Sequence, residues 1–275
     1  MKKNSASISG FIVLLVFAII TFLPFLLVLL TSLRPLTDVT QQGAIAIPGA
    51  LTLENFFTAW NKASFTVLFR NSLIITAATV AICLLSVVMA AYSLTILRPR
   101  GVKFLTVLLM VGLMVPFEQI MLPLFADMRN LGLLNNRWGV ILPQVALYIP
   151  FGIFLVESFL RGLPYEMIES ARLDGAGELH VLLHIILPNI RPVTTTLLIF
   201  VTMGSWNNFM LPNIMLQKKS MQTLTVGLNA FKGSNSANFP LICAAALISA
   251  IPAIVIYCIF QKKITEGLLA GSVKG

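Results

Sequence analysis

Residues 11–32 read FIVLLVFAIITFLPFLLVLLTS, 22 positions without an ionisable side chain. At 1.5 Å per residue a helix of that length reaches about 33 Å, enough to cross the hydrocarbon core of a bilayer. In lipid the backbone must satisfy its own hydrogen bonds, and a single continuous apolar run does so as a helix. Five further runs of similar kind lie near 72–97, 104–124, 138–160, 193–211 and 240–260. The expected fold is therefore an all-α integral membrane protein of six transmembrane helices, one transmembrane domain over 1–275. Lys2 and Lys3 before the first run imitate a signal peptide, but the run is too long and lacks a small-residue cleavage pattern, so it reads as a retained span.

Composition agrees. Hydrophobic residues make up 57% of the chain and charged residues 11%, against roughly 25% charged in a soluble domain. The mean hydropathy is +0.92. A net charge of +9 raises nucleic acid as a partner, but the basic residues stand singly between apolar runs, with no basic stripe or interleaved aromatic platform. Basic loop ends beside a lipid bilayer account for the charge instead. Six spans place both termini on one side, which then holds eleven of the nineteen Lys and Arg residues, so the positive-inside rule predicts cytoplasmic termini in a cytoplasmic (inner) membrane. Cys83, Cys243 and Cys258 all fall inside apolar runs and behave as small hydrophobes. The last two lie about 22 Å apart along one helix, too far to bridge.

Pro24, Pro116, Pro123, Pro143, Pro150 and Pro252 fall within spans, where each removes a backbone hydrogen bond and can kink its helix. Small residues four apart (Ala77 and Ala81, Ser86 and Ala90, Ala246 and Ala250) predict helix-contact faces. Outside the spans, LENFFTAW at 53–60 has the aromatic spacing of an amphipathic helix resting at the interface. A polar loop near 212–239 carries Lys218, Lys219 and Lys232.

The segment 161–191 is helical in pattern but too charged to cross a membrane. Pro164 suits a helix start, with Glu166 and Glu169 early where the helix dipole favours anions. Gly175 and Gly177 break the run, and a second helix is expected with Leu179, Leu182, Leu183 and Ile186 on one face, stopped by Pro188. Between Pro164 and Pro188 stand four acids (Glu166, Glu169, Asp174, Glu178) and one arginine, Arg172. An anionic membrane surface would repel such a segment, so docking onto a partner protein is the expected role.

Glu169-Ser170-Ala171, three residues, Gly175, nine residues, then Ile185-Ile186-Leu187-Pro188 resembles the E-A-A-x3-G-x9-I-x-L-P loop of binding-protein-dependent ABC importer permeases. Ser170 stands where that family usually has alanine. The resemblance covers nearly the whole chain and points to the maltose-type, carbohydrate-uptake branch. It is carried by Thr52 to Phe56, Asn71-Ser72-Leu73, Met114-Val115-Pro116 with Leu122-Pro123-Leu124, Leu131-Gly132-Leu133, and Ala171 to Ala176. Trp206-Asn207-Asn208-Phe209, Thr223 to Leu228, and Gly267-Leu268 with Gly271 to Gly275 add to it. The resemblance implies a second, related permease, two cytoplasmic ATPase subunits and an external solute-binding protein as partners. It also implies that Glu169, Ser170, Ala171, Asp174, Gly175, Ile185, Leu187 and Pro188 form coupling helices docked in a cleft of the ATPase. ATP and Mg would be bound by the ATPase partners, with no cofactor in this chain. No stretch fits G-x-x-x-x-G-K-[ST], and Lys232-Gly233-Ser234 has the wrong order for a phosphate-cradling loop.

Glu118 falls in the third run beside Gln119, and a buried acid there reads as a pathway or inter-subunit group, against snorkelling to the outer interface. Trp206, Asn207 and Asn208 join an aromatic face to amide donors and acceptors, the chemistry that stacks on and hydrogen-bonds a sugar. An interfacial aromatic belt is the rival, and the two asparagines tilt the reading toward the pathway. Glu157 is expected to pair with Arg161 at the membrane edge. His180 and His184, four apart with no cysteine nearby, read as surface or interface histidines, so no metal site is expected. No nucleophile and base form a hydrolytic set, so the chain reads as a transport subunit and not an enzyme. Two alternatives stand: the same machinery with a non-sugar solute, or an ion-coupled secondary transporter, which should show paired interrupted spans and midplane ionisable groups.

Overall fold

The computed structural model describes residues 8–43, 46, 48–231 and 238–272. Lys2, Lys3, Lys232, Gly233, Ser234, Val273, Lys274 and Gly275 lie outside the described residues, as do the side chains of Lys262 and Lys263. The chain divides into two compact units, residues 1–66 with 227–251 and residues 67–226 with 252–275.

In the first unit the apolar run forms α1 (Ile8–Ser32), a helix exposed along its length apart from its last turn. Its end is fixed by polar bonds. Arg34, wholly buried, donates from Nε to Asp38 at 2.6 Å and from Nη1 to the Gly43 carbonyl at 2.9 Å, closing the short α2 (Leu36–Gln42) back on it. That guanidinium bond holds the Asp38 carboxyl below the usual carboxylate range. α3 (Glu54–Lys62) is fastened to the same place, because the buried Asn55 amide donates to the carbonyls of Ser32 (2.9 Å) and Arg34 (2.8 Å). Phe57 and Trp60 stay exposed on α3, as an interfacial amphipathic helix requires.

α4 (Phe65–Tyr92) lies almost wholly in the second unit and runs on through a π-helical turn, Ser93–Leu97, until Arg98 takes a left-handed φ of 48°. α5 (Val102–Met114) and α6 (Phe117–Asn130) follow, then α7 (Trp138–Leu160) and α8 (Tyr165–Leu173). Next come α9 (Glu178–His180), a π-helical turn Val181–Ile186 and α10 (Leu187–Asn189), continuous with one another. α11 (Arg191–Trp206), α12 (Met210–Met215), α13 (Leu224–Gly227) and the long α14 (Phe239–Ser272) complete the chain. No strand occurs among the described residues.

Among the described residues four helices are long and apolar enough to cross a membrane, at Gly10–Ser32, Phe65–Leu97, Trp138–Leu160 and Phe239–Gln261. The count rises to six when two bent pairs are each taken as one span. One corrects the third expected span. Residues 104–124 are not one helix but nearly all of α5 and the start of α6, bent by 100° at Val115–Pro116. Pro116 has no N–H and disfavours helical geometry at the residue before it, and Val115 is extended (φ −82°, ψ 114°). The other five span prolines sit inside continuous helices. The fifth span, expected to reach 211, stops at Trp206, and Leu211 belongs to α12.

The core of the second unit is built by α4, α7 and α11. α4 buries Ser72, Thr76, Thr79, Cys83, Val87 and Ala91, while Ala77 and Ala81, expected as a contact face, are exposed. Glycines permit close approach: a Cβ on Gly152 of α7 would stand 2.7 Å from Val87 Cγ2 and 3.2 Å from Leu197 Cδ1, and one on Gly204 of α11 would collide with the Tyr148 hydroxyl of α7. Ile168, Val181, Ile186 and Ile190 join this core from below, so the charged segment after α7 rests on the same apolar base.

Candidate functional site

The segment between α7 and α11 leaves the core through a paired exit. Arg161 reaches back to Glu157 at 2.6 Å, the i,i+4 bridge expected at the membrane edge. Pro164 then caps α8 from outside its first turn. Ile168 is buried beneath α8, and Glu166, Glu169 and Ser170 are exposed.

α8 ends in a Schellman turn. The Ala176 N–H donates to the Ala171 carbonyl and the Gly175 N–H to the Arg172 carbonyl, both at 3.0 Å, with Gly175 at φ +84°. This left-handed position is why glycine stands there. Gly177 breaks the helix differently, as an extended residue (φ −70°, ψ 160°) preceding α9. The turn leaves Leu173 at 83% exposure, an apolar side chain beside the exposed Asp174. Below them a cleft of about 440 Å³ is lined by Ala171, Asp174, Gly175, His180 and Ile185 among others.

Four of the eight expected coupling residues, Ala171, Asp174, Gly175 and Ile185, thus share one cleft. Glu169 and Ser170 are exposed on α8, and Pro188 is exposed in α10. Leu187 lines a different, apolar groove of about 380 Å³ with Leu84, Val88, Leu183 and Leu198.

The second amphipathic face differs from expectation. Val181, Ile186 and Ile190 are wholly buried, whereas Leu179 and Leu183 are exposed. The π-helical turn explains it: an extra residue per turn shifts the phase of an i, i+3, i+4 pattern written for an α-helix. Nor does Pro188 stop the helix, since it lies within α10; the chain bends by 78° near Ile190 into α11.

The acidity is also partly internal. Glu178 pairs with Arg172 (Nε to Oε1, 3.0 Å) and accepts a hydrogen bond from the Tyr92 hydroxyl, while Arg172 Nη1 lies 3.2 Å from the Tyr165 hydroxyl. The Arg172 bond, with the Tyr92 bond second, holds the Glu178 carboxyl below the usual carboxylate range, and the same pairing raises Arg172. Glu166, Glu169 and Asp174 remain as the outward charge. His180 and His184 stack with ring centroids 4.2 Å apart, and among the described residues no group of three His, Cys, Asp or Glu is placed to hold a metal.

At the other end of α11 the expected pathway residues have structural neighbours. Trp206 is 4% exposed and meets Phe69 edge-on at 5.6 Å. Asn208 Oδ1 accepts the Leu211 N–H at 3.2 Å, capping α12, and its carbonyl accepts the Thr225 hydroxyl at 2.7 Å. Asn207 is exposed. Glu118 lies in the first turn of α6, just past the break, and is exposed.

Sequence reasoning missed a buried polar cluster one residue from Trp206. The Ser205 hydroxyl lies 2.7 Å from Gln144 Oε1 and 3.3 Å from Thr76 Oγ1, and the Thr79 hydroxyl donates to the same Oε1 at 3.2 Å. Gln144 is wholly buried in α7, two turns from its start, and it was the signal available: an amide inside an otherwise apolar span. A second missed set fixes the loop that follows α12. Asn71 donates to the carbonyls of Ser220 (2.9 Å) and Gln222 (3.0 Å), and accepts from Arg137 at 2.9 Å.

Comparison with known proteins gives a consistent answer. Residues 84–266 match the family described as binding-protein-dependent transport system inner membrane component. The chain is 34% identical over 281 residues to an arabinooligosaccharides transport system permease protein of Halalkalibacterium halodurans, covering 100% of both. It is 33% identical over 255 residues to the melibiose/raffinose/stachyose import permease protein of Bacillus subtilis, covering 92% of each. Its fold matches a chain of a bacterial ABC transporter that imports the acidic polysaccharide alginate, with a TM-score of 0.81, 23% identity and coverage of 95% of this chain and 98% of that one. The chain is a multi-pass membrane protein and a member of the binding-protein-dependent transport system inner membrane component family.

Proposed function

We propose that this chain is one permease half of an ATP-driven importer for a sugar or oligosaccharide. It would work with a second permease, two cytoplasmic ATPase subunits and an external solute-binding protein. The observation that carries the reading is the exposed turn at 173–175: an apolar Leu173 and an acidic Asp174, held by a left-handed glycine over a cleft, on a segment whose other face is anchored in the core. Such a knob lacks a purpose in water and fits a protein groove. Likeness to oligosaccharide permeases over 100% and 92% of this chain supports the solute class.

The mechanism follows from continuity. Closure of the ATPases on ATP would displace the turn. α9, the π-helical turn and α10 run without interruption to the bend at Ile190, so the displacement reaches α11. α11 packs on α4 and α7 along a seam where Gly152 faces Val87 and Leu197, and it ends at Ser205 and Trp206 in the outer half. Rocking of α11 is thus felt where a solute would enter. ATP and Mg belong to the partner subunits in this reading, and both termini face the cytoplasm. A cysteine at Ser272, in a background without Cys258, should then resist an impermeant thiol reagent added to intact cells.

The test is uptake by proteoliposomes containing the purified complex. The expected result is ATP-dependent accumulation of a labelled oligosaccharide of the arabino- or raffinose type that requires the binding protein. Uptake driven by an ion gradient without ATP would identify a secondary transporter instead.

A further inference from the structure

Tyr92 is the last residue of α4, with its ring buried at 4% exposure and its hydroxyl donating to Glu178. Glu178 in turn holds Arg172 through contacts of 3.0 and 3.1 Å, and Arg172 touches the Tyr165 hydroxyl at 3.2 Å. Four side chains therefore join α4, both ends of α8 and the start of α9, across the glycine turn that carries Leu173 and Asp174. The cluster also stands where two helices change character. The π-helical turn Ser93–Leu97 begins directly after Tyr92, and the other begins at Val181, three residues after Glu178. Turns of this kind occur often at functional sites.

Stability alone is a poor account of the cluster. The Arg172 and Glu178 side chains are 30% and 48% exposed, and ion pairs so open to water contribute little to folding. The Tyr92 bond is different in kind, since its donor is fixed by a buried ring and its acceptor is charged. We propose that Tyr92 is a positioning residue of the coupling turn: its hydroxyl ties Glu178 and Arg172 to α4, so that a push on residues 173–177 is delivered to α4 as well as to α11. The proposal rests on the importer reading above. Two of the three core helices of the second unit are then driven together, and their buried seam stays closed while they move.

The test uses the complete complex in proteoliposomes, with solute taken up and ATP hydrolysed measured on the same samples. Tyr92→Phe keeps the ring and removes only the hydroxyl. The expected result is unchanged incorporation and ATP hydrolysis with solute transported per ATP lowered about tenfold or more, the size of effect expected for one hydrogen bond to a charged group. An unchanged ratio, or uptake and hydrolysis falling in parallel, would overturn the proposal. Glu178→Gln keeps an acceptor for Tyr92 and loses the ion pair, so its ratio should fall less than that of Tyr92→Phe; a larger fall would show that the ion pair, not Tyr92, does the positioning. A wild-type complex that takes up solute without consuming ATP would overturn both this proposal and the importer reading, which separates the two failures.

Discussion

The two ends of α11, inner and outer in the topology proposed above, are built on opposite plans. At the inner end, helix geometry is irregular, with a π-helical turn and a 78° bend, and Glu169, Leu173 and Asp174 are turned outward. At the outer end the aromatic and hydroxyl groups are turned inward: Trp206 rests edge-on against Phe69, and Ser205 hydrogen-bonds Gln144 inside the core. A surface that awaits a partner spends little of its chemistry on its own chain. The outer end spends nearly all of it there, which leaves Asn207 as the exposed member of the expected sugar-recognition trio. In the proposed mechanism the seam between the ends carries motion from one to the other, which requires it to be tight.

Tightness gives the largest expected effect. Gly152→Leu places a side chain where even a Cβ meets Val87 at 2.7 Å, and it should destabilise the seam by about 1–3 kcal/mol or more. Thermal unfolding of the detergent-solubilised protein should show a lower midpoint, and an unchanged midpoint would mean that the helices separate more easily than their packing implies. Gly175→Val comes next. A β-branched residue forced into φ +84° costs about 1–2 kcal/mol locally, and with open space around its Cβ the rest of the fold should tolerate it. Membrane insertion should be normal and uptake lost; full growth-supporting uptake would remove the coupling role from this turn. The smallest effect on folding belongs to Asn207→Ala, within about 0.5 kcal/mol for an exposed residue. If the outer end contacts solute through this amide, uptake at low solute concentration should fall while thermal stability holds. Equal uptake would assign the region to structure.

The inner end was the more legible of the two, for a physical reason. Gly175 marks a left-handed turn that few residues adopt, and the acids around it break the sign of their surroundings, so both show in a linear reading. The spans were legible as apolar length, and the break at Pro116 escaped because five neighbouring span prolines are absorbed within helices, which makes proline alone a weak marker. Leu182 and Ile186 pack on the core as one face, but the phase of Leu179 and Leu183 was misread because a π-helical turn leaves no signature in residue type. Trp206 and Asn208 look alike whether they face a solute or a neighbouring helix, and the choice rests on contacts with Phe69 and Thr225, far off in sequence. Tyr92 and Glu178 are separated by 86 residues, and nothing in either local sequence announces the other.

The claim that the outward chemistry at 169–175 is a docking surface has one direct test: co-purification of the ATPase with wild-type and Glu169→Lys/Asp174→Lys permease in matched detergent and salt. Both side chains are exposed and neither supports the fold, so the variant should remain folded. Replacing attraction by repulsion across an interface costs on the order of 2–5 kcal/mol, and recovery of the ATPase should fall steeply. Equal recovery together with equal uptake would contradict the electrostatic docking of this segment and leave the apolar contact of Leu173 to carry it alone.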